Sequence, residues 1–361
     1  MSGDSWIMST CPSGVHYMHL VDHARRHIEE TYRRPWSERA LRATLAFVLP
    51  RPGRLRLALA LARRFRPWGE AFARRMPEPL KSRMIAMLAL APQRPALDPP
   101  LEAGTYSPAG KTRARVALLA GCAQQTLAPE INRATVRLLN RLGCEVTVAR
   151  QAGCCGALAH HLGREKDALA QARANIAAWE KEAHGADAIV ANASGCGTML
   201  KDYGFILRGE AEWAARAEAV AARARDLCEI VAKLGLPKSA RAPSPLRVAY
   251  QSACSMQHGQ KLDGKPQALL RQAGFTVVEP EEAHLCCGSA GTYNVLQPEI
   301  AQRLRERKAG NLAALKPDAI ASGNIGCMTQ LEGALDAPIL HTVELLDWAT
   351  GGPRPSKIGP I

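Results

Sequence analysis

Eight cysteines in two matching sets of four carry the chemistry open to this 361-residue chain. The first set is Cys122, the adjacent pair Cys154-Cys155 followed by Gly156, and Cys196; the second is Cys254, the pair Cys286-Cys287 followed by Gly288, and Cys327. Corresponding cysteines are separated by 132, 132, 132 and 131 residues, so the sets recur in register with one single-residue slip. Four thiolates complete the coordination of an iron–sulfur cluster, and each set supplies four. Adjacent cysteines cannot easily bridge each other, because disulfide geometry resists so small a ring. A neighbouring glycine tolerates positive φ and close backbone approach, which suits a metal-ligating turn.

Other uses of these thiols compete. Inert burial is the bland alternative, since free cysteine is among the most buried residue types. It is preferred for Cys144, which aligns with Phe275 of the second copy, and for Cys228 in the helical run Asp226 to Leu234. Eight thiols in register speak against it there. Structural zinc also takes four cysteines, but the chain has no C-x-x-C, the close pairing typical of zinc sites, thioredoxin-like redox motifs and haem attachment. A redox-active disulfide in one copy beside a cluster in the other stays open. His258 follows Cys254 by four residues, yet its counterpart is Thr126, so a local hydrogen bond is the expected role. Neither a glycine-rich dinucleotide loop nor a Walker loop is present, and this chain alone is expected to bind neither flavin nor nucleotide.

The elements that must position the cysteines repeat as well. Arg115-Val116 matches Arg247-Val248, Asp187-Ala-Ile matches Asp318-Ala-Ile, and Gly195-Cys196 matches Gly326-Cys327. In the first copy, apolar runs from Val116, Glu145 and Ala188 read as strands, alternating with helical segments Ile131 to Leu142 and Glu165 to His184. The second copy follows with strands at Leu246 to Tyr250, Thr276 to Val278 and Ala319 to Ala321, and helices at Gln267 to Ala273 and Glu299 to Leu315. Such alternation predicts an α/β fold with a parallel sheet in each module. Ligand sites in parallel sheets gather beyond the carboxyl ends of strands, where all the cysteine positions fall.

The fold class expected is therefore α/β, two repeated cysteine-rich modules preceded by a helical region. Domains are expected at residues 113–236 and 246–350, with a Pro-rich linker between them. Residues 36–112 read as an Arg-rich helical region and linker, punctuated by Pro50, Pro52, Pro67, Pro77 and Pro79, with Ala91 to Lys111 a connection. The tail after Trp348 reads as loose.

Composition bounds the function. Hydrophobic residues make up 47% and charged residues 22%, as in a globular protein. No secretory signal precedes the cysteines and no apolar run reaches the length of a membrane span, so a cytoplasmic location is expected, where many cysteines point to metal or redox chemistry. The net charge is +14, and residues 25–94 hold 17 Arg and Lys against 5 Glu and Asp. A basic surface of this kind suits an anionic membrane face or an acidic partner. Nucleic acid is not expected, because no zinc-finger spacing or aromatic-basic interleaving accompanies the charge.

The doubled Cys…Cys-Cys-Gly…Cys pattern resembles the CCG cysteine-rich domains of heterodisulfide reductase and related respiratory subunits. Ser252-Ala-Cys-Ser-Met-Gln-His-Gly-Gln-Lys, Leu285-Cys-Cys-Gly-Ser-Ala-Gly-Thr-Tyr-Asn, Ser322-Gly-Asn-Ile-Gly-Cys-Met-Thr-Gln-Leu and Asn192-Ala-Ser-Gly-Cys-Gly-Thr-Met are similar to the glycolate oxidase iron–sulfur subunits. The resemblance implies [4Fe–4S]-type clusters at Cys122, Cys154, Cys155, Cys196, Cys254, Cys286, Cys287 and Cys327. It implies an electron-transfer role in a glycolate oxidase complex, with flavin-binding partner subunits oxidising the hydroxy acid and no substrate-oxidising residue on this chain. It also implies a peripheral contact with the inner membrane face or a quinone. That family carries an N-terminal ferredoxin-like domain with two C-x-x-C-x-x-C-x-x-x-C-P runs. Here residues 1–35 keep only Cys11-Pro12 of the second run, and the preceding ligand position is Ile7, so the chain reads as N-terminally shortened and Cys11 as a ligand without its partners. A heterodisulfide-reductase-like thiol catalyst and a zinc-stabilised docking module are the alternatives.

Overall fold

The computed structural model describes residues 13–92, 96 and 98–359; Cys11 and Ile7 lie outside them. Among the described residues five helices come first: α1 (Tyr17–Thr31), α2 (Trp36–Val48), α3 (Pro52–Arg64), α4 (Arg66–Ala73) and α5 (Leu80–Leu90). The prolines divide them as their chemistry requires. Pro52 and Pro67 occupy the first turns of α3 and α4, where a backbone N–H has no helical acceptor to lose.

Strands β1 (Gly104–Tyr106), β2 (Ala114–Leu119), β3 (Cys144–Val148), β4 (Ala188–Ala191) and β5 (Ala224–Asp226) form one sheet in the order β1-β3-β2-β4-β5. Its helices are α6 (Gln124–Leu127), α7 (Pro129–Arg141), α8 (Ala157–His161), α9 (Glu165–Glu182), α10 (Ser194–Lys201), α11 (Tyr203–Ile206), α12 (Ala214–Arg223) and α13 (Leu227–Leu234). Strands β6 (Arg247–Gln251), β7 (Thr276–Val278), β8 (Ala319–Ser322) and β9 (Ile339–His341) form the second sheet in the order β7-β6-β8-β9. A π-helical turn (Ser255–Gly259) and helices α14 (Lys265–Gln272), α15 (Tyr293–Leu296), α16 (Pro298–Ala313), α17 (Ile325–Leu331) and α18 (Thr342–Ala349) complete that module.

Strand order repeats along with the cysteines, β3-β2-β4-β5 corresponding to β7-β6-β8-β9, and every pairing within these sets is parallel. The recurring Asp and Arg positions have a structural cause. Arg115 N–H donates to the Asp187 carboxylate at 2.8 Å and Arg247 N–H to Asp318 at 2.7 Å, each pinning the first strand of a module to the entry of the third.

Two segments differ from expectation. Part of the Ala91–Lys111 connection forms β1, which adds antiparallel to β3 with Tyr106 opposite Val146, because the edge of the first sheet offers free backbone groups. The tail is tied rather than loose: Lys357 pairs with Glu332 at 2.8 Å, and Ile358 packs on the core.

The modules are not beads on a string. Val116, Leu118 and Val190 from one face of the first sheet share a continuous apolar cluster with Val248, Leu346 and Trp348 of the second module. The alternate residues Ala117, Leu119 and Ile189 pack on the opposite face with Ile176, Trp179 and Val220. This two-sided burial is what apolar parallel strands require. Across the junction, Arg137 and Arg141 of α7 converge on Asp347 of α18, at 2.6 Å and 2.5 Å, and Asp347 is only 1% exposed.

Candidate metal centres

Each cysteine set converges at the carboxyl ends of its strands. In the first module Cys122 follows β2, Cys154 and Cys155 follow β3, and Cys196 lies in the first turn of α10 after β4. Cys122 Sγ stands 3.4 Å from Cys154 Sγ, and Cys155 Sγ stands 3.4 Å from Cys196 Sγ. Cys154 and Cys155 also interact through their thiols, so the four sulfurs run as one chain of neighbours. In the second module Cys286 interacts with Cys254 and Cys287, and Cys287 with Cys327, in the same order. None of the ten cysteines among the described residues is in a disulfide, and Cys144 and Cys228 are buried apart from either set. Among the described residues, no three His, Cys, Asp or Glu side chains close about a single metal-ion position.

The crowding has an electrostatic signature. Although contact with Cys122 pulls the Cys154 thiol down, Cys155 and burial push it up to about 12. Cys286 rises to about 11 for the same reasons, against the pull of Cys254. Cys155 and Cys287 are driven well above the usual thiol value by Cys196 and Cys327 and by burial. Gathering four ionisable sulfurs in a desolvated site penalises the thiolate unless a cation shares the site. The donor set, all sulfur and no carboxylate, fits the thiolate ligation of iron–sulfur clusters.

The glycines explain themselves. Gly156 and Gly288 have φ of +94° and +88°, and a Cβ on either would strike a helix carbonyl, at 3.0 Å from Ala168 O and 2.4 Å from Ala301 O. Only glycine lets the cysteine pair turn this closely against α9 or α16.

Residues that sequence reasoning missed hold the cysteine loops. In the first module Asn175 donates to the Cys154 carbonyl at 2.8 Å and accepts from Gly153 N–H at 2.7 Å, while the Tyr203 hydroxyl donates to the Cys155 carbonyl at 2.8 Å. In the second, fully buried Lys308 donates to the carbonyls of Ala283 and Glu282, at 2.9 Å and 3.3 Å. Burial draws Lys308 below the usual lysine value, and the four sulfurs of its set draw it back up. The π-helical turn directly after Cys254 contains His258; such turns gather at functional sites.

The two centres flank a hydrogen-bonded seam. Ser194 and Ser255 share a 2.6 Å hydroxyl contact, Thr198 donates to the Ser255 carbonyl at 3.2 Å, and Asn324 donates to Ser194 Oγ at 2.9 Å. Cys196 sits between Ser194 and Thr198, and Cys254 immediately precedes Ser255.

The N-terminal helices grip loops beside both centres. On α1, Asp22 meets His160 at 3.2 Å and His161 at 3.3 Å, just past the Cys154-Cys155-Gly156 turn. Pro52 of α3 accepts from Thr126 at 3.3 Å, and Arg83 of α5 donates to the Leu296 carbonyl at 3.3 Å in the second module.

These features define a tandem cysteine-rich α/β protein in which each module gathers four thiols at the ends of parallel strands. The Cysteine-rich domain family matches residues 116–201 and 248–332. The chain is 39% identical over 342 residues to the glycolate oxidase iron-sulfur subunit of Escherichia coli K12, covering 94% of this chain and 79% of that protein. It is 32% identical over 355 residues to the probable glycolate oxidase iron-sulfur subunit of Bacillus subtilis 168, covering 94% of this chain and 80% of the relative. Lactate utilization protein A of an Exiguobacterium species is 28% identical over 238 residues, 64% of this chain and 96% of that one. The chain belongs to the family of glycolate oxidase iron–sulfur subunits.

Proposed function

We propose that this protein is the iron–sulfur electron-transfer subunit of a flavin-linked 2-hydroxy-acid oxidoreductase acting on glycolate. Cys122, Cys154, Cys155 and Cys196 would hold one [4Fe–4S]-type cluster, and Cys254, Cys286, Cys287 and Cys327 a second. The observation that carries this reading is the repeated chain of sulfur contacts at the strand ends. The clusters supply one-electron storage; the chain supplies thiolates, burial and the backbone hydrogen bonds that set their potentials. Flavin-bearing partner subunits would remove electrons from the hydroxy acid, and a membrane quinone would receive them. Cys11 stands as a ligand only if further cysteines join it.

The same reading includes a peripheral membrane contact. Leu57, Leu61, Phe65, Trp68 and Phe72 follow at helical spacing along α3 and α4, yet each is 50% to 62% exposed. Arg56, Arg63, Arg64, Arg74 and Arg75 are their neighbours in the sequence, and the Arg64 guanidinium lies within 5.8 Å of both the Phe65 and Trp68 rings. An apolar stripe bordered by arginines suits the headgroup region of an anionic bilayer. No described helix is long and apolar enough to cross a membrane.

Anaerobic purification with iron and sulfide determination and electron paramagnetic resonance tests the cluster assignment. Cys155→Ser and Cys287→Ser are each expected to remove about four irons and one signal. Colourless, iron-free anoxic protein, or zinc in its place, refutes the assignment. Consumption of a disulfide substrate without any flavoprotein would instead favour a heterodisulfide-type catalyst. For the membrane contact, reversal of Arg63, Arg64 and Arg66 to Glu is expected to release the protein from phosphatidylglycerol vesicles. Binding that ignores both salt and charge reversal refutes it.

A further inference from the structure

The two modules are built to one plan, but one buried position differs in charge. The carbonyl of Ala168 on α9 meets Gly156, and that of Ala301 on α16 meets Gly288, which sets the register between the two helices. Asn175 and Lys308 each lie seven residues beyond that alanine, so they occupy equivalent positions. Both are buried, at 1% and 0% exposure, and both hydrogen-bond carbonyls in the loop that carries their cysteine pair. The first module therefore places a neutral amide beside its sulfurs where the second places an amino group.

Taking up an electron adds negative charge to a desolvated centre. A fixed cation nearby stabilises that charge, and the effect is large because little water screens it. The carboxamide of Asn175 is already committed to Cys154 O, Gly153 N–H and the Tyr203 hydroxyl, and carries no net charge. Burial lowers the Lys308 amine, and the nearby sulfurs of its set, Cys287 foremost, act in the opposite direction. Its Nζ donates to the successive carbonyls of Glu282 and Ala283, acceptors that suit an ammonium.

We propose that Lys308 sets the potential of the second centre, making it the easier of the two to reduce and biasing one-electron exchange between the modules toward the second. In that exchange the first centre is oxidised and the second reduced by one electron, with no bond made or broken. The inference rests on the iron–sulfur reading of both cysteine sets. Lys308 is a positioning and tuning residue and is not a ligand.

The test is a redox titration of the full chain, purified anaerobically and followed by electron paramagnetic resonance, for the native protein, Lys308→Met and Lys308→Arg. Lys308→Met is expected to lower the reduced-to-oxidised ratio of the second signal about tenfold at a given ambient potential, about 59 mV for a one-electron couple, and to leave the first unmoved. Lys308→Arg keeps the charge and is expected to retain the native value. If Lys308→Met fails to hold the second cluster, Lys308→Gln keeps an N–H donor for the loop without the charge and must show the same shift. An unchanged second signal, or two signals moving together, overturns the assignment of Lys308 alone. Native protein without iron overturns the cluster reading beneath it.

Discussion

Replacing the glycine of each cysteine turn by alanine separates the two modules quantitatively. Both glycines sit at positive φ, +94° for Gly156 and +88° for Gly288, and forcing an L-residue there costs roughly 1–2 kcal/mol at either site. The helix behind the turn makes the difference. The new methyl of Gly156→Ala would lie 3.0 Å from Ala168 O, a contact relieved by a few tenths of an ångström. That of Gly288→Ala would lie 2.4 Å from Ala301 O and 3.2 Å from both its carbonyl carbon and Cα. Relief there requires the turn and α16 to part, an overpacking cost of about 1–3 kcal/mol more. The expected losses are about 1–2 kcal/mol for Gly156→Ala and about 2–5 kcal/mol for Gly288→Ala. Urea unfolding of the metal-free proteins reads the difference, and iron content of anaerobic preparations shows whether the second centre is lost selectively. Equal losses at the two sites, or a Gly288→Ala protein as stable as the parent, would refute the close-approach argument.

Three further outcomes follow from buried charges. Removing Arg137 and Arg141 together is expected to destabilise by about 3–5 kcal/mol, because it strands the Asp347 carboxylate at the module junction, while Asp347→Ala costs less because its half-exposed arginines rehydrate; chemical denaturation ranks the two variants. The metal-free chain should lose stability as pH rises above the ordinary thiol value of 9.0, since folding raises Cys154 to about 12 and Cys286 to about 11 and the unfolded chain releases those protons first. Urea midpoints between pH 8 and 10 that stay flat without metal would contradict this. Burial lowers His341 to about 4, so its contribution is present above 6.5 and fades as pH falls toward 4. His341→Asn, which keeps an acceptor for Val343 N–H, should flatten that acid limb in thermal melts.

The repeat made much of this architecture legible. Arg115 and Arg247 with Asp187 and Asp318 stand out in the sequence because a backbone N–H in each module needs that carboxylate. Cys144 and Phe275 align because both point into the same apolar layer. Short edge elements were hidden. Strand β5 is three residues long and ends at Asp226, where the sequence shows only the start of a helical run, and pairing with β4 makes it a strand. Lys308 was hidden for a different reason. It sits in Arg-Glu-Arg-Lys, a run that reads as a solvated helix face, and its burial depends on α16 meeting the cysteine loop across the module. Its match with Asn175 needs an offset of 133 residues, one more than the cysteine pairs have, so the repeat by itself did not reveal it.

The grip of the N-terminal helices on both modules has a consequence for how the molecule can be controlled. With α1 and α3 fastened beside the first set of sulfurs, α5 beside the second, and a common apolar interior between the sheets, neither half is at liberty to swing. The gap between the two cysteine sets is then held by the architecture. On the iron–sulfur reading, control of electron traffic then falls to the chemical environment of each cysteine set rather than to a swinging arm.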